Sequence, residues 1–527
     1  MHICVRLDEN CVRRWHIKLL ERLSTLPGMV LSARVRPSAD VLPPAVEAMF
    51  QLEATLHRLN GLGDIARVPL STLTAFADDS ADVADLVIDL TGDETSKDTP
   101  VWRVCYNGVA GEAGLIALIM DGQTPVAEIT ENARVIATGR LGTEYGGIVL
   151  ESLQDMVSRT TTLILSSVAN QGPSRLPALP GAPHYRGTAR SVPLELSTGR
   201  LAVLGAKLLA RRVVRHIYKL CYNAPHWQVG WRASGNRDLF DLRAHPAEGW
   251  TVMPDDNKRF YADPFPILAN GKVTLFVEEY PHASAKGIIS AVDFGQNGPL
   301  GRPVPVLEID CHLSYPFVFE REGQFWMIPE SSQNGTVELY RATAFPGGWV
   351  KEATLLTDIT ASDATIVEHG GKWWMLATVR DGGGAFSDAL HLWSAPDFRG
   401  PWSAHSKNPV LVDIASARPA GRMVHRAGNL LRPVQDCRRG YGAALGIARV
   451  TQLDDLGFEQ TVETILGPGH SWPGRRMHTL NAAGGLEFID GSGHAPRWKG
   501  ALQKQNQTQP LPPQPVSMRQ THEAEKI

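Results

Sequence analysis

Cysteine is scarce in this sequence, and long apolar runs are missing. Six cysteines occur among 527 residues, none of them in a Cys-x-x-Cys pair, which excludes a disulfide framework or a zinc knuckle. We therefore expect no metal site and a reducing compartment. No stretch of 18 apolar residues occurs, and charges interrupt the N-terminal sequence MHICVRLDENCVRRW. The sequence predicts neither a membrane-spanning helix nor a secretory signal, and it favours a cytoplasmic protein.

A strong charge of one sign is also missing. The chain has 52 Lys and Arg residues against 55 Asp and Glu residues, a formal net charge of -3, so nucleic acid is not an expected partner. Apolar residues make up 43% and charged residues 20%, which is typical of globular domains. At roughly 150 residues per domain, the length predicts about two to four domains.

Tryptophan is nearly absent before residue 200, where only Trp15 and Trp102 occur among the thirteen of the chain. The change of composition follows a stretch rich in Pro, Gly and Ser at 171–193, which is typical of a linker. We predict an α/β domain over 1–170, a linker with a basic amphipathic helix over 171–225, an all-β domain over 226–495 and a disordered tail over 496–527.

The N-terminal region alternates strand-like and helix-like segments. Val12 to Leu26 has helical apolar spacing, and MHICVRL, VLSARV and ADLVIDLTG are typical of strands. This alternation predicts an α/β domain with a parallel sheet.

The helix predicted at 201–223 is basic and amphipathic. Its cationic side chains are Lys207, Arg211, Arg212, Arg215 and Lys219. A connector that packs its Leu and Val face on a neighbouring domain is the favoured interpretation, and a helix that lies on a membrane surface is the alternative.

One template recurs five times after about residue 226: an apolar strand, a Gly turn and a second apolar or aromatic strand. The turn glycines are Gly271, Gly323, Gly371, Gly428 and Gly485, at intervals of 52, 48, 57 and 57 residues. Repeats of about 50 residues with four short strands are propeller blades, so the sequence predicts a multidomain protein with an all-β five-bladed β-propeller.

The first strand of each blade lines the central channel, so residues at one register converge on the propeller axis. Eight residues before the first three turn glycines stand Asp263, Tyr315 and Asp363; Arg418 and His478 stand ten and seven residues before the last two. Ionisable groups are rarely buried without partners, so this set is a candidate site. The alternative is structural: the acids cap turns or bind backbone amides between blades, and Arg418 forms a salt bridge between blades.

A second polar layer follows each turn, and Glu330, at the end of FWMIPE, is its most prominent member. Paired carboxylates acting as general acid and base are the groups that cleave glycosidic bonds, and we predict Asp263, Glu330 and Asp363 as catalytic. The predicted substrate-binding residues are Glu279, His312, Tyr315, Arg418, Gln435, Asp436 and His478.

The YADPFPI segment, the blade length and the axial carboxylates resemble the five-bladed propeller of glycoside hydrolase family forty-three. Those enzymes have an Asp general base in the first blade, a modulating Asp in the second and a Glu general acid in the third. On this resemblance Asp263 matches the base, whereas Tyr315 stands in the place of the modulating Asp and Asp363 in that of the acid.

A closer resemblance, over about residues 226–492, is to the N-terminal domain of the plant glucosamine inositolphosphorylceramide transferase family, which also occurs in bacterial proteins. It rests on HLSYPFVFEREGQFWMIPESS, ARPAGRMVHRAGNLLRPVQDCRRGYG and HTLNAAGGLEFIDG. In the plant proteins a separate glycosyltransferase domain follows, and about 30 residues follow the propeller here. The resemblance therefore implies the propeller and does not by itself carry over the transferase reaction.

Residues 1–170 resemble, more weakly, the formyltransferase-type α/β fold, whose active members use an Asn, a His and an Asp around a folate site. Neither Asn107 nor Asn132 has a His two residues on, and no His follows His57 before His184. The resemblance implies a degenerate domain that has lost formyl transfer and could bind a nucleotide-sugar or serve as a scaffold.

We predict a carbohydrate-active protein that hydrolyses or transfers a glycosyl group at the propeller axis, without a cofactor. A non-catalytic module for a glycan or a glycolipid headgroup is the alternative, and formyl-type transfer by the N-terminal domain is the third hypothesis. The expected partner is a carbohydrate or glycolipid headgroup, and peripheral membrane contact would involve residues 201–223.

Overall fold

The computed structural model describes residues 1–38, 42–77, 84–92, 98–132, 134–169, 176–177, 179–180, 198–235, 237–472 and 474–497. Most of the Pro-, Gly- and Ser-rich stretch at 171–193 and most of the predicted tail lie outside these residues. The predicted α/β region and the predicted five-bladed propeller are both confirmed.

The N-terminal region is a seven-stranded sheet with helices packed against it. Its strands are His2–Asp8, Val30–Arg36, Leu86–Asp89, Val101–Tyr106, Val109–Ala110, Val126–Glu131 and Arg134–Arg140. Its α-helices are Arg14–Ser24, Pro44–His57, Gly111–Met120 and Val149–Val168, and two short 3₁₀ segments are Gly63–Ile65 and Leu70–Phe76.

The prediction of a parallel sheet is only partly right. The strands beginning at Val30, His2, Leu86 and Val101 pair in that order and are parallel. Val126–Glu131 then pairs antiparallel with Val101–Tyr106, and Arg134–Arg140 continues antiparallel. These last two strands form a hairpin, and a short hairpin turn permits only antiparallel pairing.

Helix Val149–Val168 joins the two regions. Sixteen of its twenty residues are buried, because it packs on the N-terminal core and also faces the propeller. Arg159 on this helix forms a fully buried ion pair with Asp388 of the propeller at 2.8 Å, and the Gly142 N–H donates to the same carboxylate at 3.1 Å.

The helix predicted at 201–223 is Thr198–Cys221 in the structure. The favoured prediction, that its Leu and Val face packs on a neighbouring domain, is wrong for most of that face. Leu204 packs on the N-terminal core and Leu208 is buried, whereas side chains such as Leu209 and Ile217 are more than half exposed. Among the described residues, no helix is long and apolar enough to cross a membrane.

Five antiparallel sheets form the propeller. Blade 1 contains Arg259–Ala269, Lys272–Pro281, Ile288–Gly295, Gly298–Pro299 and Val304–Leu307. Blade 2 contains Ser314–Arg321, Gln324–Glu330, Val337–Ala344 and Gly347–Leu356. Blade 3 contains Ala361–His369, Lys372–Val379, Ala389–Ala395, Ser403–Ala404 and Leu411–Val412. Blade 4 contains Val424–Arg426, Asn429–Asp436, Ala444–Asp454 and Gly457–Leu466.

Blade 5 closes the ring with strands from both ends of the propeller segment. It contains Leu480–Ala483, Leu486–Ser492, Trp227–Ala233 and Thr251–Val252. Seven residue pairs join Leu486–Ser492 to Trp227–Ala233, so the first and last strands are held in one sheet. Sharing blade 5 between the two ends of the segment fastens the ring, and each blade keeps short edges as in other propellers. A further short pair, Tyr222–Asn223 with Ala495–Pro496, lies beside it.

The repeated turn glycines have a common conformational reason. In every blade the first two strands are joined through two residues with positive φ, and all ten angles lie between 47° and 78°. The central pairs are Asn270–Gly271, Glu322–Gly323, Gly370–Gly371, Ala427–Gly428 and Gly484–Gly485. Positive φ at both positions defines the type I′ turn that matches the twist of antiparallel strands, so the second position favours glycine.

Candidate functional site at the propeller axis

Three residues of the predicted register occupy equivalent bulges in blades 1 to 3. Asp263, Tyr315 and Asp363 have φ angles of 49°, 43° and 57°. At each of them the strand pairing shifts register, between 262 and 265, 314 and 317, and 362 and 365. A bulged residue is left out of the strand ladder, so its N–H needs another acceptor.

Carboxylates from other strands supply those acceptors. The Asp263 N–H donates to Asp490 Oδ2 at 2.8 Å, the Tyr315 N–H donates to Asp263 Oδ2 at 3.0 Å, and the Asp363 N–H donates to Glu330 Oε2 at 3.0 Å. Each bond crosses from one blade to the next. The axial acids therefore hold the blades together, as the structural alternative predicted, and they also converge in space.

Asp263 lies at the centre of this cluster. Its Oδ1 accepts the Thr479 hydroxyl at 2.8 Å, and His478 Nδ1 lies 3.6 Å from Oδ1 and 2.7 Å from Asp490. Burial raises the pKa of Asp263 to about 7, against the opposing effect of His478. Burial lowers the pKa of His478, but Asp490 and Asp263 outweigh it and raise that pKa to about 9. Near neutral pH this site therefore has a charged imidazole beside a carboxyl close to its midpoint.

Asp363 has stronger fixed partners. Its Oδ2 accepts Arg418 Nε at 2.6 Å and Gln435 Nε2 at 2.8 Å. Burial raises the pKa of Asp363 to about 7, and Arg418 opposes this effect. The Arg418 guanidinium also lies 4.8 Å from the centre of the Tyr441 ring. Such a bidentate and stacked arginine has a defined geometry, so Asp363 holds Arg418 in place.

Glu330 is the predicted catalytic acid with the greatest access to solvent. Its side chain is 12% exposed, and its nearest cation is Arg418 at 3.8 Å. Ser332 Oγ donates to Glu330 Oε1 at 3.0 Å. The carboxyls of Glu330 and Asp263 both favour the charged form of His312 and so help to raise the pKa of that imidazole.

His312 joins the cluster through Glu278. Its Nε2 lies 3.3 Å from Glu278 Oε1, and its Nδ1 accepts the Gly287 N–H at 2.9 Å. Burial lowers the pKa of His312, but the hydrogen bond and the charge of Glu278 outweigh it and raise that pKa.

Two predicted substrate-binding acids lie outside the cluster. Glu279 pairs with Arg259 and accepts Ser290 Oγ at 2.7 Å, while Asp436 accepts Arg438 Nη2 at 2.6 Å. Neighbouring residues on a strand point to opposite faces, so Glu278 and Gln435 face the axis where Glu279 and Asp436 do not. Glu279 was therefore the wrong residue of this strand to predict as substrate-binding, because its neighbour Glu278 faces the axis.

Tyr315 also departs from its predicted role. Its hydroxyl is bonded to Thr365 Oγ1 at 2.8 Å and accepts the Gly421 N–H at 2.8 Å, and the residue is 1% exposed. The phenol hydroxyl thus donates and accepts hydrogen bonds within the protein. Tyr315 therefore links blades 2 to 4 and is not available to bind a substrate.

Sequence reasoning missed several members of the cluster. They are Trp227, Glu278, Tyr441, Thr479 and Asp490. A signal existed for Glu278, because residues seven after the first, second and fourth turn glycines are Glu278, Glu330 and Gln435. Trp227 and Tyr441 carry no register signal, since they come from the closing strand and from a loop.

Aromatic rings form one wall of the site. His478 stacks on Trp227 with ring centres 4.0 Å apart, and Tyr441 lies 5.1 Å from His478 and 5.8 Å from Trp227. Trp227 and His478 are 7% and 2% exposed, so these two rings are buried and Tyr441 is the most accessible of the three.

One group of possible metal ligands occurs among the described residues. Ligand atoms of Asp263, His478 and Asp490 lie within 4.8 Å of one another. The Asp490 carboxylate already accepts His478 Nδ1 and the Thr479 N–H at 2.9 Å, in addition to the Asp263 N–H. These bonds satisfy the carboxylate without an ion, and the prediction of no metal stays a prediction.

The N-terminal region reaches this cluster through a hydroxyl relay. Glu144 Oε1 accepts Ser387 Oγ at 2.8 Å, and Arg418 Nη1 lies 3.3 Å from that oxygen. The relay lies beside the buried Arg159–Asp388 pair. The packing of the two regions therefore also fixes the position of Arg418 Nη1.

The fold and the cluster thus define a five-bladed propeller with an acidic axial site. Residues 252–486 match the family model of glucosamine inositolphosphorylceramide transferase 1, N-terminal. A relative of that name from Oryza sativa subsp. japonica is 32% identical over 266 residues, which cover 48% of this chain and 35% of the relative. The relative from Arabidopsis thaliana is 32% identical over 228 residues, covering 42% of this chain and 30% of the relative.

The chain therefore spans about a third of the length of these curated relatives. Among solved structures, a thermostable family-43 glycoside hydrolase aligns at 15% identity with a TM-score of 0.31, covering 43% of this chain and 85% of that one. A family 117 glycoside hydrolase from Zobellia galactanivorans aligns at 12% identity with a TM-score of 0.33, covering 51% and 91%. The five-bladed architecture itself follows from the strand pairing.

Proposed function

We propose that the propeller binds a carbohydrate at its axis and makes or breaks a glycosidic bond there. The observation that carries this proposal is the contact chain through the Tyr441 ring. His478, which lies 3.6 Å from Asp263, is on one side of this ring, and Arg418, which lies 3.8 Å from Glu330, is on the other. Asp263 would act as the base or nucleophile, because a carboxyl whose pKa is about 7 can accept a proton near neutral pH. Glu330 would act as the proton donor, because it is the more accessible acid.

Arg418 and Asp363 would position the substrate in this scheme. Arg418 is held by Asp363 on one side and by Tyr441 on the other, so its remaining N–H groups can bind sugar hydroxyls or a phosphate. We assign Asp363 a positioning role, since its carboxylate is bonded to the side chains of Arg418 and Gln435. The relatives are named glucosamine inositolphosphorylceramide transferase 1, and the words of that name support a substrate with a sugar and a charged headgroup.

A module that binds a glycan or glycolipid headgroup without catalysis is the second candidate. The bonds that tie Asp263 to Tyr315 and Thr479, and Asp363 to Arg418, favour it, because each of these acids has protein partners in the resting state. Formyl-type transfer by the N-terminal region, a cytoplasmic location and the absence of a cofactor stay predictions from the sequence.

The test is to incubate the whole protein with a panel of glycans, inositol-phosphate glycolipids and nucleotide-sugars. Products are identified by mass spectrometry, and binding is measured by calorimetry in the same samples. Turnover of any glycosyl compound supports the enzyme, whereas binding without turnover establishes the binding module. If no compound of the panel is bound and none is turned over, the carbohydrate proposal is wrong.

A further inference from the structure

Helix Thr198–Cys221 presents an unusual number of exposed apolar side chains. Six large apolar residues on it are 49–65% exposed: Val203, Leu209, Val213, Val214, Ile217 and Leu220. Seventeen large apolar side chains are exposed among the described residues, so about a third of them lie on this one helix. A contiguous apolar surface of this kind marks an interaction site.

The exposed residues form one stripe. Leu209, Val213 and Ile217 are four residues apart and Leu220 follows three residues later, which places them on one helix face. Leu208 points to the opposite side and is buried. The stripe therefore faces away from the N-terminal region that the helix packs against.

Positive charge borders this stripe on both sides. The helix carries six Lys or Arg residues and no Asp or Glu, although the whole protein has a net charge of -3. By helical spacing, Lys207 and Arg211 follow one edge of the stripe, and Arg212 and Lys219 follow the other. An apolar face flanked by cations is complementary to an anionic lipid surface, which offers acyl chains beneath phosphates.

A basic cleft lies beside the helix. It has a volume of about 480 Å³, and its lining includes His57, Arg58, Arg211, Arg212 and Arg215. No Asp or Glu is among the residues described around it. Burial and the charges of Arg215 and Arg212 lower the pKa of His57, as expected where cations crowd together. A cleft with this lining can hold a phosphate group.

We propose that helix 198–221 docks flat on an anionic lipid bilayer, with its apolar stripe in the acyl boundary and the cations that border the stripe on lipid phosphates. The basic cleft, which Leu208 also lines, lies on the opposite side of the helix and takes no part in this contact. The helix lies on the membrane and does not cross it. This surface is separate from the propeller axis, so the inference does not depend on the reaction proposed there.

Vesicle sedimentation tests this inference with the whole protein. The probes are vesicles of phosphatidylcholine alone and of phosphatidylcholine with phosphatidylglycerol. The protein is expected to bind the anionic vesicles and to lose binding as salt is raised. Val213→Ser combined with Ile217→Ser is expected to lower the partition coefficient at least about tenfold. Lys207→Gln combined with Lys219→Gln is expected to lower it by about tenfold or more for the anionic vesicles alone.

The matched control is Leu300→Ser combined with Leu456→Ser. These propeller side chains are 67% and 73% exposed, so the same chemical change is made at a different surface. The control should bind like wild type, and circular dichroism should show that every variant is folded. The inference is wrong if the folded wild type does not bind anionic vesicles. It is also wrong if the helix variants bind these vesicles as strongly as wild type. If wild type does not bind vesicles but forms a dimer, and the Val213→Ser/Ile217→Ser variant is a monomer, the stripe contacts a second copy of the chain instead.

Discussion

The carboxylate of Asp263 accepts the backbone N–H of Tyr315 at 3.0 Å, so the axial residue of blade 1 fixes the axial residue of blade 2. Both residues have positive φ in equivalent bulges. A non-glycine residue in this region costs about 1–2 kcal/mol, and the inter-blade hydrogen bond offsets part of that cost. The acid at the centre of the proposed site is thus also a structural acid, and predictions about it need variants that keep its hydrogen bonds.

Glu330→Gln should slow turnover in a way that depends on the leaving group. The amide oxygen of the variant can accept the Asp363 N–H in place of Oε2, and its NH₂ group can donate to the Ser332 hydroxyl, so the fold is expected to survive. General acid catalysis contributes roughly 10²–10⁴-fold, and poor leaving groups need it most. We expect a loss of about 10²-fold or more for alkyl glycosides and a much smaller loss for nitrophenyl glycosides, measured as kcat/KM. Equal losses for both would show that Glu330 does not donate the proton.

The rate should depend on pH through Asp263. This residue has to lose its proton to act as base, so kcat/KM should rise as pH passes through about 7. His478 keeps its charge beside Asp263 until its own proton leaves at about 9, so the rising limb belongs to the coupled pair. A profile without a rise near neutral pH would contradict Asp263 as the base.

The buried pair between Arg159 and Asp388 should dominate the interface of the two regions. Arg159→Ala leaves an uncompensated carboxylate at a fully buried position, and loss of one partner of a buried pair costs about 3–5 kcal/mol. Urea unfolding measures this cost. Arg22→Ala is the matched control, since its partner Asp381 is 50% exposed and such pairs contribute about 0–1 kcal/mol. Similar losses in both variants would contradict the account of the interface.

Ala427→Gly should stabilise the protein. Ala427 occupies the first central position of the blade 4 turn with φ of 47°, a conformation that glycine adopts without strain. A gain of about 0.5–1 kcal/mol in the free energy of unfolding is expected. The reverse change in the same turn, Gly428→Ala, should destabilise by more than that, because its φ is 78°. Stabilisation by the second change would show that the type I′ assignment is wrong.

The sequence predicted the propeller well because its repeat has a steric cause. Each type I′ turn favours glycine at one position, so turn glycines recur once per blade and the axial register can be counted from them. The same count predicted Asp263 and Asp363 at the axis. Counting seven residues onward from Gly271 also leads to Glu278, whereas the predicted residue Glu279 is its neighbour and points to the opposite face.

Other parts of the site carry no local signal. Trp227 reaches the site because the first propeller strand pairs with the last, which is a contact of high sequence separation. Tyr441 stands in a loop, and Ser387 is connected to Glu144 of the N-terminal region only in the folded chain. The antiparallel end of the N-terminal sheet was missed for a similar reason, since strand direction depends on which neighbour a strand meets.

The most direct test of the central claim compares Asp263→Asn with Asp436→Asn on a substrate found in the panel. Asparagine at 263 can still accept the Tyr315 N–H, whereas it cannot act as a base. Asp436 is a buried acid of blade 4 whose partner is Arg438, outside the cluster. We predict that Asp263→Asn stays folded and loses turnover by about 10²-fold or more, while Asp436→Asn keeps most of its turnover. Wild-type rates in a folded Asp263→Asn protein would contradict the axial site.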